Sequence, residues 1–203
     1  VIKYFFQSVR FLMTKDIKLI VVACNTASAL AVAEAQKAFD IPLVGVIEPG
    51  SKAAVSSTKN GIIGVIGTEG TINSGSYQRK IRKMLPSAEI IGLSCPLFVP
   101  IVEEGWENSD VAFITAQKYL LELKEHNIDS LVLGCTHYPA LRYTINKVFE
   151  NKVNLVNPAY ETAKATRLLL KENNMLSEKL DGGKISFFVS DDPEKFKRIG
   201  GNI

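Results

Sequence analysis

The stretch "IDSLVLGCTHYPAL" (residues 128–141) joins a short apolar run to a helical pattern through a cysteine and a histidine. The run "SLVLG" is continuously apolar, which is typical of a strand buried on both faces of a parallel sheet. Cys135 and His137 follow where this strand ends. Ligands of open α/β sheets bind at the carboxyl ends of the strands. The stretch therefore predicts an α/β fold with a thiol and an imidazole at its ligand-binding edge.

A second stretch, "IKLIVVACNTASAL" (17–30), repeats this arrangement 111 residues earlier. Each copy contains an apolar strand, a small residue, a cysteine, a polar pair and the start of a helix, and Cys24 aligns with Cys135. An ancient duplication and two convergent strand–helix turns would both produce this match. In either case both cysteines precede a helix amino terminus.

The rest of the chain alternates between apolar runs and amphipathic segments. The apolar runs predict strands at 18–23, 42–47, 61–67, 88–93, 130–134, 153–157 and 185–190. The helical periodicity predicts helices at 26–39, 50–58, 71–84, 109–126, 138–150, 159–173 and 192–199. This alternation predicts parallel sheets with helices on both faces. The turn signals "EPG" (48–50) and "NPA" (157–159) are candidate crossings between two domains.

Composition excludes several classes of protein. The 203 residues are 46% hydrophobic, which is enough for one large domain or two small ones. The net charge is +3, and the basic cluster at 195–198 fits a solvated helix face, so no nucleic-acid partner is expected. No apolar stretch reaches the roughly 18 residues that cross a membrane. Three cysteines, an odd and low count, favour a reducing cytoplasm over a disulfide scaffold.

The two cysteine positions allow several kinds of chemistry. A helix amino terminus stabilises a thiolate or binds an anion, and Asn25, Thr26 and Thr136 can cap the helix or donate to a substrate. Core filling does not explain two matched cysteines, and the spacing does not support a metal site. A Cys135–His137 nucleophile would leave Cys24 idle. Two thiols on opposite faces of one carbon would instead invert it by general acid–base catalysis.

Six motifs in this order resemble those of the glutamate racemases, cofactor-independent enzymes of the aspartate and glutamate racemase superfamily. The motifs are "ACNTASA" (23–29), "GVIEPG" (45–50), "GTEGTI" (67–72), "CPLFVPIVEEG" (95–105), "GCTHYP" (134–139) and "NPAYETA" (157–163). The resemblance implies two similar α/β domains with the active site between them. We expect residues 1–47 and 157–203 to form the first domain and residues 48–156 the second.

The resemblance also implies the roles of individual residues. Cys24 and Cys135 would be the acid and base thiols, with Cys24 acting on the D-isomer and Cys135 on the L-isomer. His137 and Glu103 would assist Cys135. The residues expected to hold glutamate are Asn25, Thr26, Thr68, Thr71, Thr136 and His137. No cofactor or metal is expected, and the resemblance implies a cytoplasmic bacterial homodimer that makes D-glutamate for peptidoglycan.

The chain departs from the family at its start. It begins at Val1, after the family's Asp-Ser-Gly motif and Tyr-Gly turn, and its carboxyl-terminal tail is short. We therefore expect a fragment that alone is weakly active or inactive. The alternatives to a glutamate racemase are a racemase of another acidic amino acid such as aspartate, a Cys–His hydrolase or transferase, and a glutamate-binding module without turnover. The glycines of "GIIGVIGTEG" (61–70) lack the dinucleotide fingerprint, so a nicotinamide site is not expected.

Overall fold

The computed structural model describes residues 1–178 and 182–200, which form two parallel sheets flanked by helices. The strands are β1 (Ile20–Val22), β2 (Leu43–Gly45), β3 (Ile62–Gly67), β4 (Glu89–Ser94), β5 (Ser130–Gly134) and β6 (Asn154–Val156). The helices are α1 (Ile2–Met13), α2 (Asn25–Ala38), α3 (Ile47–Ser57), α4 (Glu69–Asn73), α5 (Ser76–Met84), α6 (Phe98–Glu103), α7 (Asp110–Glu125), α8 (Arg142–Val148), α9 (Pro158–Glu172) and α10 (Pro193–Gly200). A short 3₁₀ helix, Tyr138–Leu141, precedes α8.

The two sheets differ in size but share the parallel arrangement. The smaller sheet pairs β1 with β2, and the larger has the order β4-β3-β5-β6. In the larger sheet Gly67, which ends β3, is opposite Gly134, which ends β5. The residues that follow these two strands therefore emerge side by side at one edge. This confirms the predicted α/β class and its parallel sheets.

Burial explains why the central strands have no alternating pattern. Every residue of β5 is buried, and five of the six residues of β3 are buried. One core cluster joins β5 to α7, α8 and the 3₁₀ helix, and another joins β3 to α3 and α5. A separate cluster packs α1 and α2 against β1 and β2. Helix α9 contacts both β2 and β5, and thus lies against both sheets.

Three expectations about local structure were wrong. Residues 185–190 form no strand, because their side chains are exposed and no described strand pairs with them. The "EPG" sequence lies inside α3, where Pro49 is tolerated because the first turn of a helix has free N–H groups. The predicted helix over 71–84 is broken at Gly75, which has a φ of +63° and separates α4 from α5.

The sequence periodicity did not predict helix α6, because this helix is short and begins just after Cys95 and Pro96. Among the described helices, none combines the length and apolar character that a membrane crossing needs. The domain limits at residues 47 and 157 stay a prediction.

Candidate active site

Cys24 lies at the amino terminus of α2, with one residue between it and the end of β1. It is the N-cap residue, and its sulfur accepts a hydrogen bond from the backbone N–H of Ala27 at 3.5 Å. Its side chain is exposed. The sequence therefore placed this thiol correctly at a helix amino terminus, where the free N–H groups and the helix dipole favour negative charge.

Cys135 follows β5 and is 8% exposed. Burial raises the pKa of its thiol; the backbone N–H of His137 opposes this rise, and the nearby Cys24 sulfur adds to it. The two thiols are thus close enough for their charges to interact, although they are far apart in sequence. Cys135 precedes a 3₁₀ helix instead of the predicted α-helix, because the chain does not enter regular α-helical geometry until Arg142.

His137 lies between a thiol and a carboxylate. Its Nδ1 is 3.8 Å from the sulfur of Cys135 and 3.4 Å from the hydroxyl of Thr136. Its Nε2 is 3.5 Å from a carboxylate oxygen of Glu103, at the end of α6. One ring nitrogen therefore faces the thiol while the other faces an acidic group, an arrangement that can orient the imidazole and hold a proton near Cys135.

Glu103 has a second partner that the sequence did not suggest. The ammonium group of Lys195, on α10, lies 3.1 Å from the other carboxylate oxygen of Glu103. Lys195 and His137 also line one cavity together with residues 191, 192, 196, 199 and 200. No local pattern links Lys195 to Glu103, since 92 residues separate them.

Three threonine hydroxyls form a cluster between the two sheets. Thr26 of α2 lies 2.8 Å from the hydroxyl of Thr68 and 3.1 Å from that of Thr71. Thr68 caps α4 and is also 3.1 Å from Thr71, which is 1% exposed. These hydroxyls gather at the carboxyl edge of β3, beside the end of β5, and can donate to an anion there.

Asn25 is held by a residue that the sequence did not single out. The phenol of Tyr77, on α5, donates a hydrogen bond of 2.6 Å to the side-chain oxygen of Asn25. Both residues are buried. The structure therefore brings every residue expected at the site into one of two linked groups. One contains Asn25, Thr26, Thr68 and Thr71 beside Cys24. The other contains Cys135, Thr136, His137 and Glu103.

No three His, Cys, Asp or Glu side chains within the described ranges come close enough together to hold a metal ion. The third cysteine, Cys95, is fully buried, and burial raises its pKa to about 12. It lies in the core cluster that surrounds β5. The site thus combines two thiols, an imidazole, a carboxylate and several neutral donors, which suits proton transfer next to an anionic substrate.

Comparisons with known proteins identify the family to which the chain belongs. The sequence profile of the Asp/Glu/Hydantoin racemase family matches residues 4–166. A glutamate racemase from Geobacter metallireducens is 46% identical over 200 residues, which cover 98% of this chain and 74% of that protein. The similarity therefore extends over nearly the whole chain.

Solved structures show the same similarity in three dimensions. A glutamate racemase isoform from Bacillus anthracis superposes with a TM-score of 0.95 at 36% identity, covering 99% of this chain and 75% of that one. The glutamate racemase of Francisella tularensis, solved with D-glutamate, gives a TM-score of 0.92 at 35% identity and covers 99% of this chain and 74% of that one. The chain therefore belongs to the Asp/Glu/hydantoin racemase family, and within it to the glutamate racemases.

Proposed function

We propose that this amino-acid racemase interconverts L-glutamate and D-glutamate by proton transfer between two cysteines, Cys24 and Cys135. The observation that carries the proposal is that the chain brings the two cysteine segments together: Thr26, two residues after Cys24, lies 2.8 Å from Thr68, which follows β3, and β3 pairs with the strand that leads to Cys135. Each cysteine follows a parallel strand, so each lies at the carboxyl edge of its sheet, where ligands of such sheets bind. A related enzyme has been solved with D-glutamate, which supports the choice of substrate.

The proposed proton transfers need no reactant other than glutamate and the two thiols. The thiolate of Cys24 removes the α-proton of D-glutamate, and the electron pair of the broken C–H bond stays on the α-carbon. The thiol of Cys135 then gives its proton to the opposite face, which forms L-glutamate and leaves Cys135 as a thiolate. The reverse reaction exchanges the two roles. The raised pKa of Cys135 favours its protonated form before D-glutamate binds.

His137 and Glu103 support Cys135 in this scheme. The imidazole lies within 3.8 Å of the sulfur and can stabilise the thiolate that forms when Cys135 loses its proton. Glu103, through its contact with Nε2, keeps the ring oriented toward the sulfur. The burial of Cys135 makes this help necessary, since an isolated buried thiolate is unfavourable.

The polar residues around the thiols would hold glutamate and stabilise the carbanion. We assign the side chains of Asn25, Thr26, Thr68, Thr71, Thr136 and His137 to substrate contacts. The amino terminus of α2 adds a positive potential next to Cys24. Donors directed at the α-carboxylate lower the energy of the negative charge that develops when the α-proton leaves. No cofactor is needed for this step.

D-Glutamate from this reaction would supply peptidoglycan synthesis in the cytoplasm of a bacterium, and we expect the enzyme to act as a homodimer. Light scattering coupled to size-exclusion chromatography tests the dimer, since a mass of one chain would contradict it.

Incubation of the full-length enzyme with L-glutamate in deuterated water tests the proposed reaction. We expect D-glutamate that carries solvent deuterium at the α-carbon, followed by circular dichroism and mass spectrometry. L-Aspartate under the same conditions should react far more slowly. A hydrolase would leave the α-hydrogen in place, and a binding module would bind glutamate without exchange, so either result would contradict racemisation.

A further inference from the structure

Tyr77 connects the two halves of the candidate site. It lies on α5, is 1% exposed, and donates its phenol hydrogen bond to the side-chain oxygen of Asn25 over 2.6 Å. Asn25 directly follows Cys24 and is 4% exposed. Tyr77, which belongs to the core cluster around the larger sheet, therefore contacts Asn25, the residue next to Cys24.

The surroundings of Tyr77 leave its ring little freedom. A Cβ added at Gly50 would lie 3.1 Å from the phenol oxygen, and one added at Gly134 would lie 3.5 Å from ring carbon Cε2. The tyrosine thus packs between α3 and the end of β5, one residue before Cys135. Glycine at position 50 is unfavourable within a helix, and the equally close approach of the Tyr77 phenol and the Pro158 ring leaves little room for a larger residue there.

The direction of the hydrogen bond fixes the orientation of the Asn25 amide. Burial raises the pKa of Tyr77 far above its ordinary value, so the phenol keeps its proton and acts as a donor. Its acceptor must be the amide oxygen, which leaves the amide nitrogen on the other side. In the described part of the chain, that nitrogen donates to no acceptor. It is also not one of the solvent-inaccessible side-chain atoms that lack a hydrogen-bond partner.

We infer that Tyr77 is a positioning residue that holds the Asn25 amide so that its NH₂ group faces the substrate beside Cys24. The inference rests on the proposed function, because it assigns the free NH₂ group to a substrate carboxylate. An unrestrained amide would present its oxygen to the carboxylate in part of the molecules, and two acceptors repel each other. Tyr77 removes that alternative before glutamate binds.

A double-mutant cycle between Tyr77 and Asn25 tests this inference. Tyr77→Phe removes the donor and keeps the ring. We expect it to raise the KM for glutamate, and the Kd measured by calorimetry, about tenfold, with a smaller change in kcat. Asn25→Ala should weaken binding at least as much, and adding Tyr77→Phe to Asn25→Ala should have no further effect on KM. An unchanged KM in Tyr77→Phe, or an equal effect in both backgrounds, would overturn the inference.

Tyr138→Phe is the matched control, because its buried phenol donates to the backbone carbonyl of Cys95 at 2.8 Å instead of to a site residue. It should lower the thermal midpoint and leave KM unchanged.

Asn25→Asp keeps the acceptor for Tyr77 and removes the NH₂ group, so it tests the orientation even where Tyr77→Phe does not fold. We expect lost glutamate affinity in a protein that still folds, with a thermal midpoint lowered because the new carboxylate is buried; wild-type affinity would contradict the inference. Deuterium incorporation by the wild type tests the proposed function separately, and calorimetry does not depend on turnover.

Discussion

The hydroxyl groups of Thr26 and Thr68 lie 2.8 Å apart, although Thr26 follows the smaller sheet's first strand and Thr68 follows a central strand of the larger sheet. This contact joins the polar ends of the two sheets. The hydroxyls satisfy one another in the structure, and an anionic substrate can replace these contacts. The geometry of the site therefore depends on how closely α2 and α4 approach.

Gly70→Ala tests this dependence. A Cβ at position 70 would lie 2.9 Å from the methyl group of Thr26, so the Thr26 side chain or the helix that carries it would have to move. Alanine favours a helix over glycine by about 1 kcal/mol, which offsets part of the loss in stability. We expect kcat/KM to fall about tenfold with little change in the thermal midpoint, because small displacements of binding groups are costly in catalysis.

Gly183→Ala is the control, since an added Cβ there meets nothing within 4 Å. Full activity in Gly70→Ala would show that the spacing between the two threonines is not critical.

Glu103→Gln tests the support of His137. The amide keeps the shape of the side chain and removes the negative charge opposite Nε2. We expect kcat to fall by about tenfold or more, within the range for acid–base groups, while KM changes little. Steady-state kinetics against L-glutamate measure both values.

Glu104→Gln changes the adjacent, exposed carboxylate and should have no effect. Equal losses in the two variants would indicate a general charge effect and contradict a specific role for Glu103.

The buried thiol of Cys95 is expected to make the folded protein less stable at alkaline pH. Its folded pKa of about 12 exceeds the ordinary 9.0, so the folded state holds its proton where the unfolded state releases it. The resulting stability is complete below the unfolded pKa and decreases as the pH rises from about 9 toward 12. Thermal midpoints of the wild type should therefore fall more steeply over this range than those of Cys95→Ala. Parallel curves would contradict this role.

Asp129 is expected to stabilise the turn before β3. Burial alone would raise its pKa, but its carboxylate accepts hydrogen bonds from the Thr58 hydroxyl and the backbone N–H groups of Lys59 and Asn60, and the net shift is downward. This stability is present above the unfolded pKa of 3.8 and is lost as the pH falls. Asp129→Asn should lower the free energy of unfolding by about 2 kcal/mol at neutral pH.

Urea denaturation measures this change, with the exposed Asp40→Asn as the control. Equal stabilities of the two variants would contradict the role of Asp129.

Much of the fold could be predicted because burial and periodicity are local signals. The apolar runs placed six strands within about two residues, and β5 was found with its exact limits. The seventh run failed because strand formation also needs a neighbouring strand, which a sequence window does not show. Likewise, the cysteines could be placed at strand ends from local patterns alone.

The contacts between distant segments could not be predicted in the same way. Tyr77 has the pattern of a core residue on an amphipathic helix, and 52 positions separate it from Asn25. Lys195 resembles any solvated lysine, yet it pairs with Glu103. Such pairs depend on how the two sheets pack together, and neither side chain carries a local sign of its partner.

Replacement of one cysteine at a time, in deuterated water, tests the two-thiol scheme most directly. Cys24→Ser and Cys135→Ser should each lower inversion by at least about 100-fold in both directions, since every turnover needs both thiols. Each variant should still exchange the α-hydrogen of one isomer without inverting it: L-glutamate in Cys24→Ser and D-glutamate in Cys135→Ser. Cys95→Ala should invert both isomers normally. Inversion at the wild-type rate by either Cys24→Ser or Cys135→Ser would contradict the scheme.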